Sequence, residues 1–258
     1  MIPVMWHDVH SHPHQLPDPE TALRRAQRAG VSLCVAATER PSELRHVLKL
    51  AELFPEMVIP AAGLHPAAPA MLDDQTVQQE LSLLDEYARE IRLVSEIGLD
   101  YKYAQSSDEK SRQKKILEKQ FEIAVRHKLP VQLHSRRAQR AAMEAAISFA
   151  ENTGLPALLH WFTASRKLIR IVNERPRVFI SVGPSVLYSE ETQKVVKEVK
   201  IEKILVETDC PVPIGGNPNE PAKAAEVAKA LSKLFGLAEA DLSQQLEKNL
   251  NEFLNPNP

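Results

Sequence analysis

Glycine is scarce: the chain has eight in 258 residues, and none falls in a G-x-G-x-x-G or G-x-x-x-x-G-K run. That excludes the glycine-rich phosphate loops of dinucleotide-binding sheets and of P-loop nucleotide hydrolases. Cysteine is nearly absent, with only Cys34 and Cys210. Two thiols so far apart do not make a disulfide framework; they read as small buried hydrophobes in a reducing compartment. No uninterrupted apolar run approaches the ~20 residues of a membrane span. The opening MIPVMWHDVHSH lacks the basic leader, apolar stretch and small-residue cleavage site of a secretory signal, so a cytoplasmic location is expected. Charge of either sign is not in excess, with 32 Lys and Arg against 34 Asp and Glu. A net charge of −2 excludes a protein that coats nucleic acid by charge alone, and leaves room for one that grips a few phosphates locally.

What the chain does contain is a regular alternation. Apolar, β-branched runs at 5–10, 31–37, 57–63, 92–98, 130–134, 156–160, 177–183 and 203–208 predict eight strands. Between them, 3.6-period patterns predict helices at 19–29, 41–53, 74–90, 109–127, 137–152, 164–174, 190–200 and 221–235, with a last one at 239–254. Asp18-Pro19-Glu20 and Pro41-Ser42-Glu43 place a proline and an acid in a first helical turn. Strand alternating with helix implies parallel pairing through right-handed crossovers, and eight such units fit a closed (β/α)8 TIM barrel. A doubly wound open sheet is the alternative, but its first strand would lead into a glycine-rich turn, and here it leads into His-Ser-His-Pro-His. The Pro-, Gly- and Asn-rich stretch 211–221 reads as a loop, so residues 1–258 are expected to form one domain.

The chemistry-bearing residues share one position. His10 and His12 close the first strand, two residues apart, so they point to one face and reach one metal ion together. His65, Glu96, His134, His160 and Asp209 each lie at or near the end of a later predicted strand. In a barrel those ends converge on one rim, where active sites sit. Polar side chains gathered at a barrel mouth are costly unless paired or coordinated. Imidazoles with carboxylates suit Zn²⁺, Mn²⁺ or Co²⁺ better than Mg²⁺, which prefers oxygen and retained water. Six ligands, His10, His12, Glu96, His134, His160 and Asp209, exceed one tetrahedral ion and suit two ions bridged by a carboxylate. Two basic clusters also stand out. Lys110, Arg112, Lys114 and Lys115 read as a solvated helix face, whereas Arg136, Arg137 and Arg140 follow His134 closely enough to face a site.

At these residues the sequence resembles the TatD family of metal-dependent hydrolases, in the amidohydrolase-like barrel superfamily. The matching blocks are Asp8-Val-His-Ser-His12, Gly63-Leu-His-Pro66, Glu96-Ile-Gly-Leu-Asp-Tyr101, Pro130-Val-Gln-Leu-His-Ser-Arg136, His160-Trp-Phe162, Glu207-Thr-Asp-Cys-Pro211 and Asn219-Glu-Pro221. They occur in the family's order and span nearly the whole chain; the Glu96 and Glu207 blocks together are the specific ones. The resemblance implies that His10 and His12 bind one metal with Glu96 bridging, that His134 and His160 complete the second, and that Asp209 binds metal and activates the attacking water. It implies phosphate contacts from His65 and Arg136, hydrolysis of DNA ends in the 3′–5′ direction, and a monomer. Asp100 and Tyr101 are expected to orient neighbours.

The chain departs from the family pattern around the site. Ser95 stands where the family usually has glycine, and its hydroxymethyl is expected to be tolerated by pointing outward. Pro218 replaces an arginine before Asn-Glu-Pro, which removes one phosphate contact. Pro13-His14-Gln15-Leu16 follows His12, where leucine and aspartate are usual, and Trp161 occupies a position that is often small. Trp161 and Phe162 can stack on a base or pack under the loop. Metal ligation survives these changes, and the substrate is left open. A deoxyribonuclease comes first. An ester or amide hydrolase using the same site, such as a D-aminoacyl-tRNA deacylase or a small-molecule amidohydrolase, comes second. A barrel that binds metal without turnover comes last.

Overall fold

A computed structural model describes residues 4–255. Eight strands form one parallel sheet in chain order: β1 Trp6–Ser11, β2 Val31–Ala37, β3 Val58–Ala62, β4 Leu93–Asp100, β5 Val131–Arg136, β6 Ala157–Leu159, β7 Val178–Val182 and β8 Ile204–Val206. The sheet closes where the chain leaving β8 meets the end of β1. Asp209 N–H donates to His10 O at 2.9 Å and His12 N–H to Cys210 O at 2.7 Å. The helices are α1 Pro19–Arg28, α2 Leu44–Leu53, α3 Asp74–Tyr87, α4 Ser107–His127, α5 Gln139–Thr153, α6 Arg166–Asn173, α7 Glu190–Val196, α8 Lys223–Phe235 and α9 Glu239–Leu254. The fold is the expected (β/α)8 barrel.

Alternation along the strands sorts side chains into two cores. In β5 to β8, Val131, Leu133, Ala157, Leu159, Val178, Ile180, Ile204 and Val206 pack outward against the helices. Leu158, Phe179 and Leu205 face the barrel interior with Val9, Val35, Ala37, Ala61 and Leu93. Leu250, Phe253 and Leu254 of α9 close that interior core. The interior parity then continues into polar residues: Gln132 and His134, His160, Ser181 and Glu207 are each two positions from one another or from an interior apolar residue.

Among the predicted helices that come out shorter than their periodicity suggests, 41–53 and 190–200 show why. The stretch 41–53 begins as a 3-10 turn at Pro41–Glu43 before α2, and 190–200 ends at Val196. In both cases the apolar spacing continues through turns that pack on the barrel without α-helical hydrogen bonding.

Candidate active site

Register irregularities aim the site. β1 pairs Asp8 with Cys34 and Ser11 with Ala36, so three steps on β1 match two on β2. β4 likewise pairs Val94 with Val131 and Ile97 with Leu133. Each bulge adds one residue and turns two consecutive side chains toward the barrel interior, Val9 with His10 and Ser95 with Glu96. On β4 the bulged strand must also pass close to β5. A Cβ on Gly98, whose φ is +136°, would lie 2.2 Å from the carbonyl oxygen of His134, so only glycine fits there.

Glu96 is the centre. Its Oε2 lies 3.7 Å from His10 Nε2 and 3.6 Å from His12 Nε2. Its Oε1 lies 2.8 Å from His134 Nδ1 and 2.9 Å from His160 Nε2. Asp209 completes the first side, with Oδ1 3.6 Å from His10 Nε2 and 3.4 Å from His12 Nε2. The six residues picked out as metal ligands are therefore brought together around one carboxylate, whose two oxygens face different histidine pairs. The ligand atoms of His10, His12 and Glu96 lie within 4.8 Å of one another, as do those of Glu96, His134 and His160.

Hydrogen bonding fixes which nitrogen each ring presents. Gln132 Nε2 donates to Val9 O at 2.9 Å, so Gln132 Oε1 must accept, and the His10 Nδ1–H reaches it at 2.7 Å. The His12 Nδ1–H donates to Ala37 O at 2.8 Å. Both rings thus offer an Nε2 lone pair, and His10 Nε2 is buried with no hydrogen-bond partner. An orphaned buried nitrogen 3.6–3.7 Å from two carboxylates fits a cation between them. His65 has the opposite tautomer. Its Nδ1 accepts the Ala67 N–H at 3.0 Å, so the proton of the neutral ring sits on Nε2, 3.5 Å from Glu96 Oε1. His65 therefore presents a donor to the cavity.

The electrostatics follow from this packing. Burial holds His10 neutral, its pKa down to about 3. Burial also disfavours the Glu96 and Asp209 anions, but the surrounding imidazoles overcome it and keep Glu96 well below, and Asp209 below, the usual carboxylate range. Burial likewise acts against a charged His12, which Asp209 and Glu96 nevertheless push up to about 9. Two buried carboxylates held in their ionised form among imidazoles attract cations, and a metal ion there would compete with the proton on His12.

Asp100, expected to orient neighbours, is joined by several contributors that the sequence did not single out. Gln132 holds His10, and Asp100 Oδ2 lies 3.3 Å from His134 Nε2. Glu207 is fully buried, accepts from Ser181 Oγ at 2.6 Å, and stands 3.7 Å from His160 Nδ1. Asp8 accepts from both Thr208 N–H and Thr208 Oγ1, at 2.9 and 2.6 Å, which ties β1 to the segment carrying Asp209. Their common signal was a polar residue at an interior position of an apolar strand. Ser95 corrects the expectation of an outward hydroxymethyl: it is fully buried and its Oγ donates to Gln132 Oε1 at 2.6 Å. The β4 bulge turns it inward, where it shares the acceptor that orients His10.

The mouth opens into a cavity of about 730 Å³ lined by His65, Arg136, Trp161 and Asp209 among others. Arg136 is exposed there and makes no ion pair among the described residues. Trp161 is half-buried at the rim, its indole N–H donating to Ser185 Oγ at 3.2 Å, while Phe162 is packed in the core. Asp209 and Trp161 adopt left-handed backbone, with φ of +53° and +38°. Such strain costs about 1–3 kcal/mol per residue and concentrates at functional sites. Pro218 is exposed, and the following Asn219 pins the loop by donating to Thr208 O at 2.7 Å and Val212 O at 3.1 Å.

A parallel barrel with this cluster of histidines and carboxylates at the C-terminal ends of its strands is the framework of a metal-dependent hydrolase. The chain belongs to the TatD family: the family model described as TatD related DNase matches residues 7–255. It is 30% identical over 259 residues to the uncharacterized metal-dependent hydrolase YjjV of Escherichia coli, covering 96% of this chain and 97% of that one. It is 28% identical over 242 residues to human deoxyribonuclease TATDN3, covering 90% of this chain and 87% of the relative. The crystal structure of the E. coli YjjV protein superposes with a TM-score of 0.85 at 28% identity, covering 98% of each chain.

Proposed function

We propose that this protein is a metal-dependent deoxyribonuclease that removes nucleotides from the 3′ end of single-stranded DNA. The observation that carries the reading is the division of Glu96, Oε2 toward His10 and His12 and Oε1 toward His134 and His160. On that division, His10, His12 and Asp209 would hold one divalent ion and His134 and His160 a second, with Glu96 available to both. Zn²⁺, Mn²⁺ or Co²⁺ suits four imidazoles better than Mg²⁺ does. When bound, the two ions supply Lewis acidity at the phosphoryl group and lower the pKa of the attacking water.

The chain's own groups do the rest. Asp209 orients the water and takes its proton as the oxygen attacks phosphorus; the bond from phosphorus to O3′ breaks, and the departing O3′ takes up a proton from solvent. The His65 Nε2–H donates to a non-bridging phosphate oxygen, and Arg136 pairs with the same charge. Trp161, at the rim, gives the terminal base a face to stack on. The human relative's name as a deoxyribonuclease supports the choice of substrate. Both cysteines are free and buried, which supports a reducing, cytoplasmic setting, and the reading takes a monomer as the working unit.

The test is digestion of a 5′-labelled single-stranded oligonucleotide by Mn²⁺- or Zn²⁺-loaded protein, beside a chelator-treated control. Stepwise shortening that chelator abolishes is the expected result. Bound metal with no cleavage would move the substrate to an ester or amide. The positioning of His10 gives a second expectation. Gln132→Ala leaves its Nδ1–H without an acceptor and should weaken metal binding by about 10–100-fold while the barrel stays folded. Competition against a fluorescent chelator measures it; unchanged affinity would remove Gln132 from the site.

A further inference from the structure

Beside the metal cluster lies a second, larger groove of about 1020 Å³. Its lining comes from the same three successive loops that line the active-site cavity. Asp100, Arg136 and Trp161 line the cavity, and their near neighbours Tyr101, Arg137 and Thr163 line the groove. Arg137, Arg140, Arg166 and Lys194 all face into it, against Glu144 and Glu191. This local excess of cations stands on a chain whose net charge is −2.

Those cations are loosely held. Arg137 makes no ion pair among the described residues. Arg140, Arg166 and Lys194 reach their nearest carboxylates only at 3.7, 3.8 and 3.7 Å. Exposed pairs of this kind are worth about 0–1 kcal/mol and can be redirected to another anion at little cost. Arg140 and Arg166 are also in the wrong place for helix stability. They occupy the first turns of α5 and α6, which have neither a side-chain cap nor an acid in that turn. A cation there opposes the helix dipole by about 0.3–1 kcal/mol, a cost that an anion seated in the groove would offset. By contrast, α1, α3, α4 and α7 begin with Asp18, Asp73, Ser106 and Ser189 as side-chain caps and carry acids in their first turns. Tyr101 adds an aromatic side chain on the groove side of the divide, as Trp161 does on the cavity side. Cations that track a backbone, with aromatics beside them, are what single-stranded nucleic acid requires.

We propose that this groove binds the phosphates of the uncut 5′ portion of a single DNA strand while its 3′ end occupies the metal cluster. The inference rests on the deoxyribonuclease reading for what enters the cavity, and it assigns Arg137, Arg140 and Arg166 to holding the strand, outside the chemistry.

The experiment compares metal-loaded wild-type protein with the triple variant Arg137→Gln, Arg140→Gln, Arg166→Gln. All three residues are on the surface, and circular dichroism checks the fold. Fluorescence anisotropy follows binding of nuclease-resistant, phosphorothioate oligothymidylates ten and two nucleotides long. At about 50 mM salt each lost phosphate contact forfeits roughly tenfold in affinity, so the variant should bind the longer strand weaker by on the order of a hundredfold to a thousandfold. The slope of log Kd against log salt should fall by about two units, and the dinucleotide should bind equally well to both proteins. Hydrolysis of bis(4-nitrophenyl) phosphate, which is too small to reach the groove, should agree within about twofold. Equal affinity of the two proteins for the ten-nucleotide strand, or an equal loss for the dinucleotide, would overturn the groove. Absence of bis(4-nitrophenyl) phosphate hydrolysis together with no shortening of the 5′-labelled oligonucleotide by wild-type protein would overturn the deoxyribonuclease reading, with anisotropy still reporting the groove on its own.

Discussion

Asp209→Asn should lower kcat by about 10²–10⁴-fold, the range lost with a positioned proton acceptor, and leave the melting temperature within a few degrees. Asparagine keeps the shape of the side chain and the Asp209 N–H bond to His10 O at 2.9 Å that helps to close the barrel. It removes the basic oxygen now 3.4 Å from His12 Nε2 and 3.6 Å from His10 Nε2. His10, His12 and Glu96 remain as three ligands on that side, so metal should be retained while turnover is lost. Single-turnover rates on labelled DNA, with metal content measured on the same sample, separate the two effects. A variant that keeps more than about a tenth of the wild-type rate would show that the water loses its proton to another group.

The sequence disclosed where this side chain sits but not how it is aimed. A predicted strand of 203–208 put Asp209 at a strand end, whereas β8 stops at Val206 and Asp209 lies beyond it with φ of +53°. Aspartate is one of the few non-glycine residues that visit the left-handed region, but nothing local in the sequence marks this one; the segment carrying it is anchored through Thr208 to Asp8, from the far end of the chain. The cluster of four histidines with Glu96 and Asp209 was legible because histidine and carboxylate at the ends of apolar strands have no inexpensive alternative to coordination or pairing. Gln132 was harder to see, since a lone polar residue in Pro-Val-Gln-Leu-His resembles a tolerated substitution until strand parity places it inside the barrel, under His10. Ser95 was misjudged for the same reason in reverse. Simple alternation from Glu96 puts it on the outer face, and only the bulge between Val94 and Ile97 brings both inward. The basic trio after His134 was readable as a feature facing a site, but its division between two hollows, Arg136 in one and Arg137 and Arg140 in the other, depends on the left-handed turn at Arg137, with φ of +56°.

Glu96→Gln should act differently from Asp209→Asn, by emptying the site. Among the described residues Glu96 is the one carboxylate whose oxygens reach toward both histidine pairs, so replacing it should remove a ligand from both sides at once. The amide also places a hydrogen-bond donor near His134 Nδ1 or His160 Nε2, where a lone pair is wanted for metal. Elemental analysis after dialysis should show metal content falling by half or more, with activity lost alongside it. A thermal readout makes the same point without turnover. Wild-type protein holding metal at about a thousand times its Kd gains roughly 4 kcal/mol of stability, so chelator should lower its melting point by several degrees. The Glu96→Gln protein should show little chelator-dependent shift, because there is little bound metal to remove. If the variant keeps full metal occupancy and the full chelator response, Glu96 does not bridge, and the two histidine pairs then bind their ions independently through Asp209, Asp100 and Glu207.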